Sequence, residues 1–279
     1  MAYRSILVHL DDHPRTAARL DVATRLAQRF GSQVVGLYVQ PSYEIYPFAA
    51  EMLPAEFVQQ TVEQRLEAQR VAESAFHEAA SRAGIAEPQF RAPAGDASQA
   101  AAIHARYCDL AIVGQPERDA ADRAFANDLA HSLVMGSGRP VLIIPYAASV
   151  TTLGERVLVA WKDTREAARA VGDAMPFLSA ASFVQAVSVA LDEDEAIEEF
   201  VAERQLQAYL ALHRVDATVK RIVAPDIQAG EFLLSQAADS GADLIVMGGY
   251  SHRRIRELIW GGVTRTMLRS MTVPVLMAH

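Results

Sequence analysis

The chain has 279 residues, of which 51% are hydrophobic and 22% are charged, and it carries a formal net charge of −8 and one cysteine. This length and composition predict roughly two globular domains with full cores. The acidic balance argues against nucleic acid or an anionic membrane as a partner, because both require a basic surface. The single cysteine excludes a disulfide framework, and the absence of a signal peptide or a run of about 20 apolar residues predicts a cytoplasmic protein.

Short apolar runs rich in β-branched residues alternate with longer helical patterns, which predicts parallel strands connected by helices. In the first half we predict strands at 4–9, 33–39, 88–92, 109–113 and 140–144, and helices at 14–30, 54–83, 96–106 and 124–136. In the second half we predict strands at 156–161, 181–189, 216–223, 243–247 and 273–277, and helices at 164–178, 192–213, 228–239 and 262–270. Pro, Ser, Thr and Gly interrupt the pattern near 145–155, which predicts two domains, 1–147 and 154–279.

The two halves repeat each other. DLAIVG at 109–114 is followed by RPVLIIP at 139–145, and DLIVMG at 243–248 is followed by VPVLMA at 273–278 with the same spacing. The first strands also match, as ILVHLDD at 6–12 and VLVAWKD at 157–163. This internal similarity indicates the duplication of one structural unit.

Two glycine pairs stand near the end of the chain. The strand at 243–247 runs into Gly248 and Gly249, and a basic loop leads to Gly261 and Gly262 at the start of a helix. A helix start offers unpaired backbone NH groups and a positive dipole to a phosphate, and glycine lets a ligand approach the backbone. The alternative is that both pairs only shape tight turns, and the residues alone leave the two interpretations open.

This segment resembles the signature of the universal stress protein family. The signature has a strand ending in GxxG, nine residues, a Gly with a small hydroxyl residue, a helix, and a last strand of PVL type. Here it stands as GGYS at 248–251, GGVT at 261–264 and PVLM at 274–277. Two positions depart from it, since Ser251 replaces the second glycine of GxxG and Gly262 replaces the usual serine.

The resemblance implies both a fold and a ligand. Each half would be a five-stranded, doubly wound, Rossmann-like α/β domain, and pairing of the last strands would make the tandem chain a pseudo-dimer, which two copies of the chain would extend to a homodimer. The second half would bind ATP or a related adenine nucleotide, with or without Mg²⁺. We expect no catalytic residue and no metal ligand of the protein. The implied nucleotide contacts are Ala160, Trp161, Lys162, Val187, Met247, Gly248, Ser251, His252, Gly261, Gly262, Val263 and Thr264.

The end of the first strand differs between the halves. The family usually places an Asp near the adenine and ribose, and the first half keeps it as Asp11, whereas the second half has Lys162. Lys162 either reaches an anionic ligand or is a solvated loop lysine. Trp161 before it either stacks on a base or packs under the following helix.

The first half also differs in its loop. At the positions of Ser251, Gly261 and Gly262 it carries Glu117, Asn127 and Asp128. Carboxylates at these places repel a phosphate, so we predict that the first half has lost its nucleotide site. The later GSG at 136–138 is interpreted as an ordinary helix end.

Three functions remain open at this stage. The leading hypothesis is a stress-response protein whose bound nucleotide stabilises one conformation that an effector recognises. The second is slow nucleotide hydrolysis or phosphoryl transfer with Ser251, Thr264 or His252, although no known catalytic motif supports it. The third is a nucleotide-free scaffold that binds a partner through the aromatic segment at 41–57.

Overall fold

The structure, a computed structural model, describes residues 2–39, 55–115, 123–146, 149–190, 193–223, 229–249 and 262–279. The first half contains β1 (Ser5–Leu10), α1 (Thr16–Phe30), β2 (Gln33–Tyr38), α2 (Ala55–Arg82), β3 (Gln89–Arg91), α3 (Ala97–Ala105), β4 (Leu110–Gly114), α4 (Arg123–Gly136) and β5 (Val141–Ile144). The second half contains β6 (Arg156–Ala160), α5 (Arg165–Asp173), α6 (Met175–Leu178), β7 (Phe183–Ala190), α7 (Glu193–Leu212), β8 (Ala217–Val223), α8 (Ala229–Asp239), β9 (Leu244–Gly248), α9 (Gly262–Ser270) and β10 (Val275–Ala278).

One element differs from the sequence prediction. The helix predicted at 164–178 is divided into α5 and α6, with Ala174 between them. Pro176 has no backbone NH and its ring would clash with the carbonyl of Gly172 in a continuous helix, so the chain turns before it.

The strands form a single sheet in the order β3-β2-β1-β4-β5-β10-β9-β6-β7-β8. Within each half the paired strands are parallel. The two halves join where β5 pairs antiparallel with β10, with Leu142 opposite Leu276. This confirms the prediction of two tandem doubly wound α/β units whose last strands pair. Because β5 and β10 are antiparallel, the carboxyl ends of the strands that flank this joint point in opposite directions.

Both faces of the sheet are covered by helices, as the long apolar runs of the strands require. We call the core under α1, α2, α5, α6 and α7 the first-face core, and the core under α3, α4, α8 and α9 the second-face core. Successive residues of a strand alternate between them, so Val159 lies in the first and Leu158 in the second. Each core extends through both halves.

Two further sets of contacts join the halves. The ring of Tyr3 lies 5.3 Å from that of Phe30 and 5.6 Å from that of Phe177, and its hydroxyl donates to the carbonyl of Asp173 at 2.6 Å. The connecting segment is held along α1, where Arg29 donates to the carbonyl of Leu153 at 2.7 Å. The connection between the halves is therefore packed against the first half.

Candidate functional site

Three apolar side chains lie next to one another across the strands of the second half. Ala160, the last residue of β6, is paired with Val187 on one side and with Met247 on the other. Val187 and Met247 belong to the second-face core, and Ala160 packs against it. The parallel register thus brings together three of the predicted base contacts as one wall on the second face of the sheet.

Gly248 follows Met247 and is in close contact with α5. A β-carbon on Gly248 would lie 2.5 Å from the backbone nitrogen of Ala167 and 2.6 Å from the carbonyl carbon of Glu166. No side chain fits this space, since real β-carbons do not approach backbone atoms so closely. Packing of α5 therefore requires glycine at this position, whatever is bound near it.

The start of α9 lies on the same face as the apolar wall. Gly262 is exposed and begins the helix, Val263 packs against the second-face core, and Thr264 is buried with 4% of its surface exposed. A β-carbon on Gly262 would meet no atom within 4 Å. Because the first amides of a helix have no intrahelical acceptor, this end of α9 offers hydrogen-bond donors to an anion.

α9 is held closely by α8. A β-carbon on Gly230 in α8 would lie 2.7 Å from the β-carbon of Thr266, which shows how near the two helices pass. Met267 and Leu268 on α9 are buried in the second-face core. The last two turns of the helix therefore have a fixed position against the sheet.

Trp161 does not join the apolar wall. Its backbone NH donates to the carbonyl of Val187 at 2.9 Å, but its indole packs against the first-face core on the other side of the sheet. The indole nitrogen is buried and has no hydrogen-bond partner in the described part of the chain. Of the two interpretations of Trp161, the structure favours packing over stacking on a base. Lys162 follows it and is exposed in the turn before α5.

The remaining predicted contacts, Ser251, His252 and Gly261, lie outside the described residues, and so does Glu117 of the first half. For Asn127 and Asp128 only the helical backbone of α4 is described. The aromatic segment at 41–57 is described only from residue 55 onward. Gly138, from the GSG sequence, follows the end of α4 with a φ of 66°, as expected for a glycine after a helix.

At the equivalent strand end, the end of β1, the first half contains a polar network. His9 stands at the position of Ala160 and Asp11 at that of Lys162. The guanidinium of Arg19 donates to Asp11 Oδ1 at 2.5 Å, to Thr16 Oγ1 at 2.7 Å and to the His9 carbonyl at 3.0 Å. Arg19 also fills the space beside Gly114, since its Nη1 would be 2.7 Å from a β-carbon there. The carboxylate that the family resemblance assigns to ligand binding is bound internally.

The charges in this network shift the titration of its members. Burial lowers the pKa of His9, the nearby Asp11 carboxylate opposes this shift and the charge of Arg19 adds to it, so that the pKa is about 4. For Asp11, burial favours a higher pKa, but His9, Arg19 and the Thr16 hydroxyl together keep the pKa below its usual value. Near neutral pH the network therefore consists of a neutral imidazole and an ion pair.

Sequence reasoning missed a second buried polar cluster, under α7. The Ser188 hydroxyl donates to the Glu203 carboxylate, which also accepts a bidentate bond from Arg221 with an Nε distance of 2.9 Å. Burial favours a raised pKa for Glu203, but its bonds to Arg221 and Ser188 hold the pKa below the usual value. The sequence does not indicate this cluster, because its three residues are far apart in the chain and belong to no motif. Only the pairing of β7 with β8 places Ser188 beside Arg221.

Two further findings concern metal binding and membrane insertion. Within the described ranges, no group of three or more His, Cys, Asp and Glu side chains is close enough to hold a metal ion. In the same ranges, none of the helices combines the length and the apolar composition that crossing a membrane requires.

These features define a class of protein, in which two doubly wound α/β units share one sheet and the strand that ends in Gly248 is followed along the chain by a helix that begins on the second face. The family model described as "Universal stress protein family" matches residues 2–145 and 155–279. The chain therefore belongs to the universal stress protein family. None of the curated proteins matches the sequence.

Two solved structures of this family share the whole architecture, and a third matches about half of the chain. A universal stress protein from Archaeoglobus fulgidus DSM 4304 is 16% identical, with a TM-score of 0.76 and coverage of 100% of this chain and 96% of that chain. A candidate universal stress protein from Pseudomonas aeruginosa UCBPP-PA14 is also 16% identical, with a TM-score of 0.62 and coverage of 99% and 93%. A universal stress protein in complex with cAMP is 17% identical and covers 51% of this chain and 97% of that chain, with a TM-score of 0.35. At these identities the similarity concerns the fold alone.

Proposed function

We propose that the chain binds ATP or a related adenine nucleotide in its second half and acts as a ligand-dependent regulatory or protective module of the cytoplasm. The observation that carries this proposal is that the apolar wall and the start of α9 lie on the same face of the sheet. The wall formed by Val187, Ala160 and Met247 and the opening turn of α9 both lie on the second face of the sheet, and Met247 belongs to β9, which ends in Gly248.

Each part of a nucleotide has a chemical counterpart among these residues. The apolar wall suits a purine ring, with the small side chain of Ala160 at its centre. The backbone NH groups at Gly262, Val263 and Thr264 suit the phosphates, since a helix start attracts negative charge. The exposed Lys162 adds a cation at the end of β6.

The remaining contacts rest on the sequence. Ser251, His252 and Gly261 complete the proposed phosphate loop, and Mg²⁺ would be bound by the phosphates themselves, because no metal-binding cluster is present among the described residues. The first half contributes no nucleotide site in this proposal. Its Asp11 is already paired with Arg19, whose guanidinium occupies the space beside Gly114.

The proposed mechanism is stabilisation of one conformation by the ligand. A ligand that binds only the native state stabilises it by about 3 kcal/mol at a hundredfold excess over Kd. An effector that recognises the stabilised conformation would then sense the nucleotide.

Gly262 offers a sharp test. A β-carbon there meets nothing within 4 Å, so both Gly262→Asp and Gly262→Ser fit the fold. A carboxylate at a helix start stabilises the helix but repels a phosphate, whereas a hydroxyl restores the residue usual in the family. We expect ATP, ADP or AMP to raise the unfolding temperature of the wild type, to have no effect on Gly262→Asp, and to act more strongly on Gly262→Ser.

Mass spectrometry of small molecules released from the purified wild type accompanies this measurement. An adenine nucleotide that copurifies with the wild type and not with Gly262→Asp is the expected result. The absence of any released nucleotide, together with no thermal shift at millimolar nucleotide with or without Mg²⁺, would refute the proposal.

A further inference from the structure

Gln115 forms a bridge between the halves. It follows Gly114 at the end of β4, and its backbone NH donates to the carbonyl of Ile144 at 2.7 Å. Its side-chain Oε1 accepts from the backbone NH of Tyr146 at 2.8 Å, and its Nε2 donates to the carbonyl of Leu268 at 2.8 Å. Rotation of the amide by half a turn would place donor against donor and acceptor against acceptor, so the two bonds fix its orientation.

The bond to Leu268 caps α9 from the other half. Leu268 lies in the last turn of α9, which ends at Ser270, and the last four carbonyls of a helix lack intrahelical donors. Because the strands of the two halves point in opposite directions at the joint, the end of β4 meets the end of α9 and not its start. The nine residues of α9 span about 13 Å, so a constraint at Leu268 sets the position of Gly262 along the helix axis.

The equivalent contact in the other direction has no such bond. In the repeat, Gly249 is the counterpart of Gln115, because it follows Gly248 as Gln115 follows Gly114. Val134 is the counterpart of Leu268, because each precedes the last strand of its half by the same number of residues. There a β-carbon on Gly249 would lie 3.0 Å from Val134 Cγ1, and the contact is one of packing. At this pair of positions, a side-chain hydrogen bond therefore runs from the first half to the helix of the second half and not in reverse.

Gln115 also connects α9 with the loop after β1. The ring of Tyr146 lies 5.7 Å from that of His13 and 5.1 Å from the guanidinium carbon of Arg15. His13 and Arg15 belong to the loop that carries Asp11. This loop lies where we predict that the first half has lost its nucleotide site. A continuous set of contacts thus leads from this loop to α9.

We infer that Gln115 is a positioning residue for the nucleotide site of the second half, through which the first half sets the placement of α9. This inference rests on the proposed function. In this inference the first half, for which we predict no nucleotide site, holds the proposed phosphate-binding helix α9 of the second half in place.

The test compares Gln115→Met, Gln115→Glu and Tyr3→Phe with the wild type, by calorimetric titration with ATP and with adenosine. Methionine keeps the length of the side chain without its polar groups. Glutamate still accepts from Tyr146 but at neutral pH cannot donate to Leu268. Tyr3→Phe is the matched control, because it also removes one hydrogen bond between the halves, on the first face and at the opposite end of β1 and β4.

We expect both Gln115 variants to bind ATP about fivefold more weakly, because both lose the hydrogen bond to Leu268, and to bind adenosine as the wild type does. Adenosine has no phosphate, so its binding does not depend on the placement of α9. A general loss of stability would weaken the binding of both ligands and cannot produce a loss for ATP alone. Tyr3→Phe is expected to lower the unfolding temperature and leave both affinities unchanged.

Two other results have separate meanings. If the wild type binds ATP and the Gln115 variants bind it equally well, or lose ATP and adenosine to the same extent, this inference is wrong and the proposed function stands. If the wild type binds neither ATP nor adenosine, and ADP and AMP give no thermal shift, the proposed function is refuted and the inference falls with it.

Discussion

The backbone nitrogen of Ala167 lies 2.5 Å from the point at which a β-carbon on Gly248 would stand. The start of α5 thus rests directly on the last residue of β9. In the first half, the space beside Gly114 is filled by the Arg19 guanidinium instead. The second half therefore needs its glycine for internal packing, because the neighbouring atoms are backbone atoms, and the glycine in the family signature reflects the fold as well as any ligand.

We expect Gly248→Ala to lower the free energy of unfolding by about 3 kcal/mol, the upper part of the range for overpacking, because α5 can yield only by moving its backbone. Gly262→Ala is the matched control, since its methyl group meets no atom and alanine favours a helix by up to about 1 kcal/mol. Urea denaturation of both variants measures the difference. Equal stabilities would show that α5 is not packed as described.

Arg19→Met leaves the Asp11 carboxylate without its cation inside the protein. The side chain of Arg19 is 5% exposed and that of Asp11 29%, and removing one partner of such a pair costs about 3 kcal/mol. Arg70→Met, which breaks an exposed pair with Glu67, should change stability by less than about 1 kcal/mol. The double variant Arg19→Met with Asp11→Asn should recover part of the loss, and a strictly additive result would contradict the pairing.

His9 should make stability depend on pH. Its pKa is about 4 in the folded protein, against 6.5 when unfolded, so between these values the unfolded chain binds more protons. Its contribution is complete above pH 6.5 and is lost as the pH falls towards 4, by about 3 kcal/mol in all. His9→Gln should flatten the wild-type curve in this window. His104, whose pKa is also lowered by burial, remains in both proteins and cancels in the comparison.

Arg221→Met should reverse the acid response of Glu203. In the wild type the pKa of Glu203 is held down, so this group reduces stability only as the pH falls below the usual range of a carboxyl. Without Arg221, burial raises the pKa of Glu203, and the folded state then binds a proton that the unfolded state releases. The variant should therefore become more stable relative to wild type as the pH falls from 7 towards 5, as measured by urea denaturation. A constant difference across this range would contradict the pairing of Glu203 with Arg221.

The strands and helices followed from local patterns. Buried parallel strands read as continuous apolar runs, and the amphipathic segments between them were long enough to be identified as helices, so most elements agree with the prediction within a few residues. The division between α5 and α6 comes from Pro176, a local signal that the amphipathic pattern of 164–178 does not contain. The wall of Val187, Ala160 and Met247 was reached only through the resemblance to a known family.

The fold class, the duplication and the location of the glycine segments could be predicted from the sequence, because hydrophobic periodicity and repeated spacing are encoded in neighbouring residues. The face of the sheet on which each strand-end residue lies is visible only in the folded protein, with Ala160 on the second face and Trp161 on the first. It alone paired Arg19 with Gly114 and Gln115 with Leu268. These contacts join residues distant in the chain, and their geometry depends on strand register and on the antiparallel joint of the two halves, neither of which is written in any local pattern.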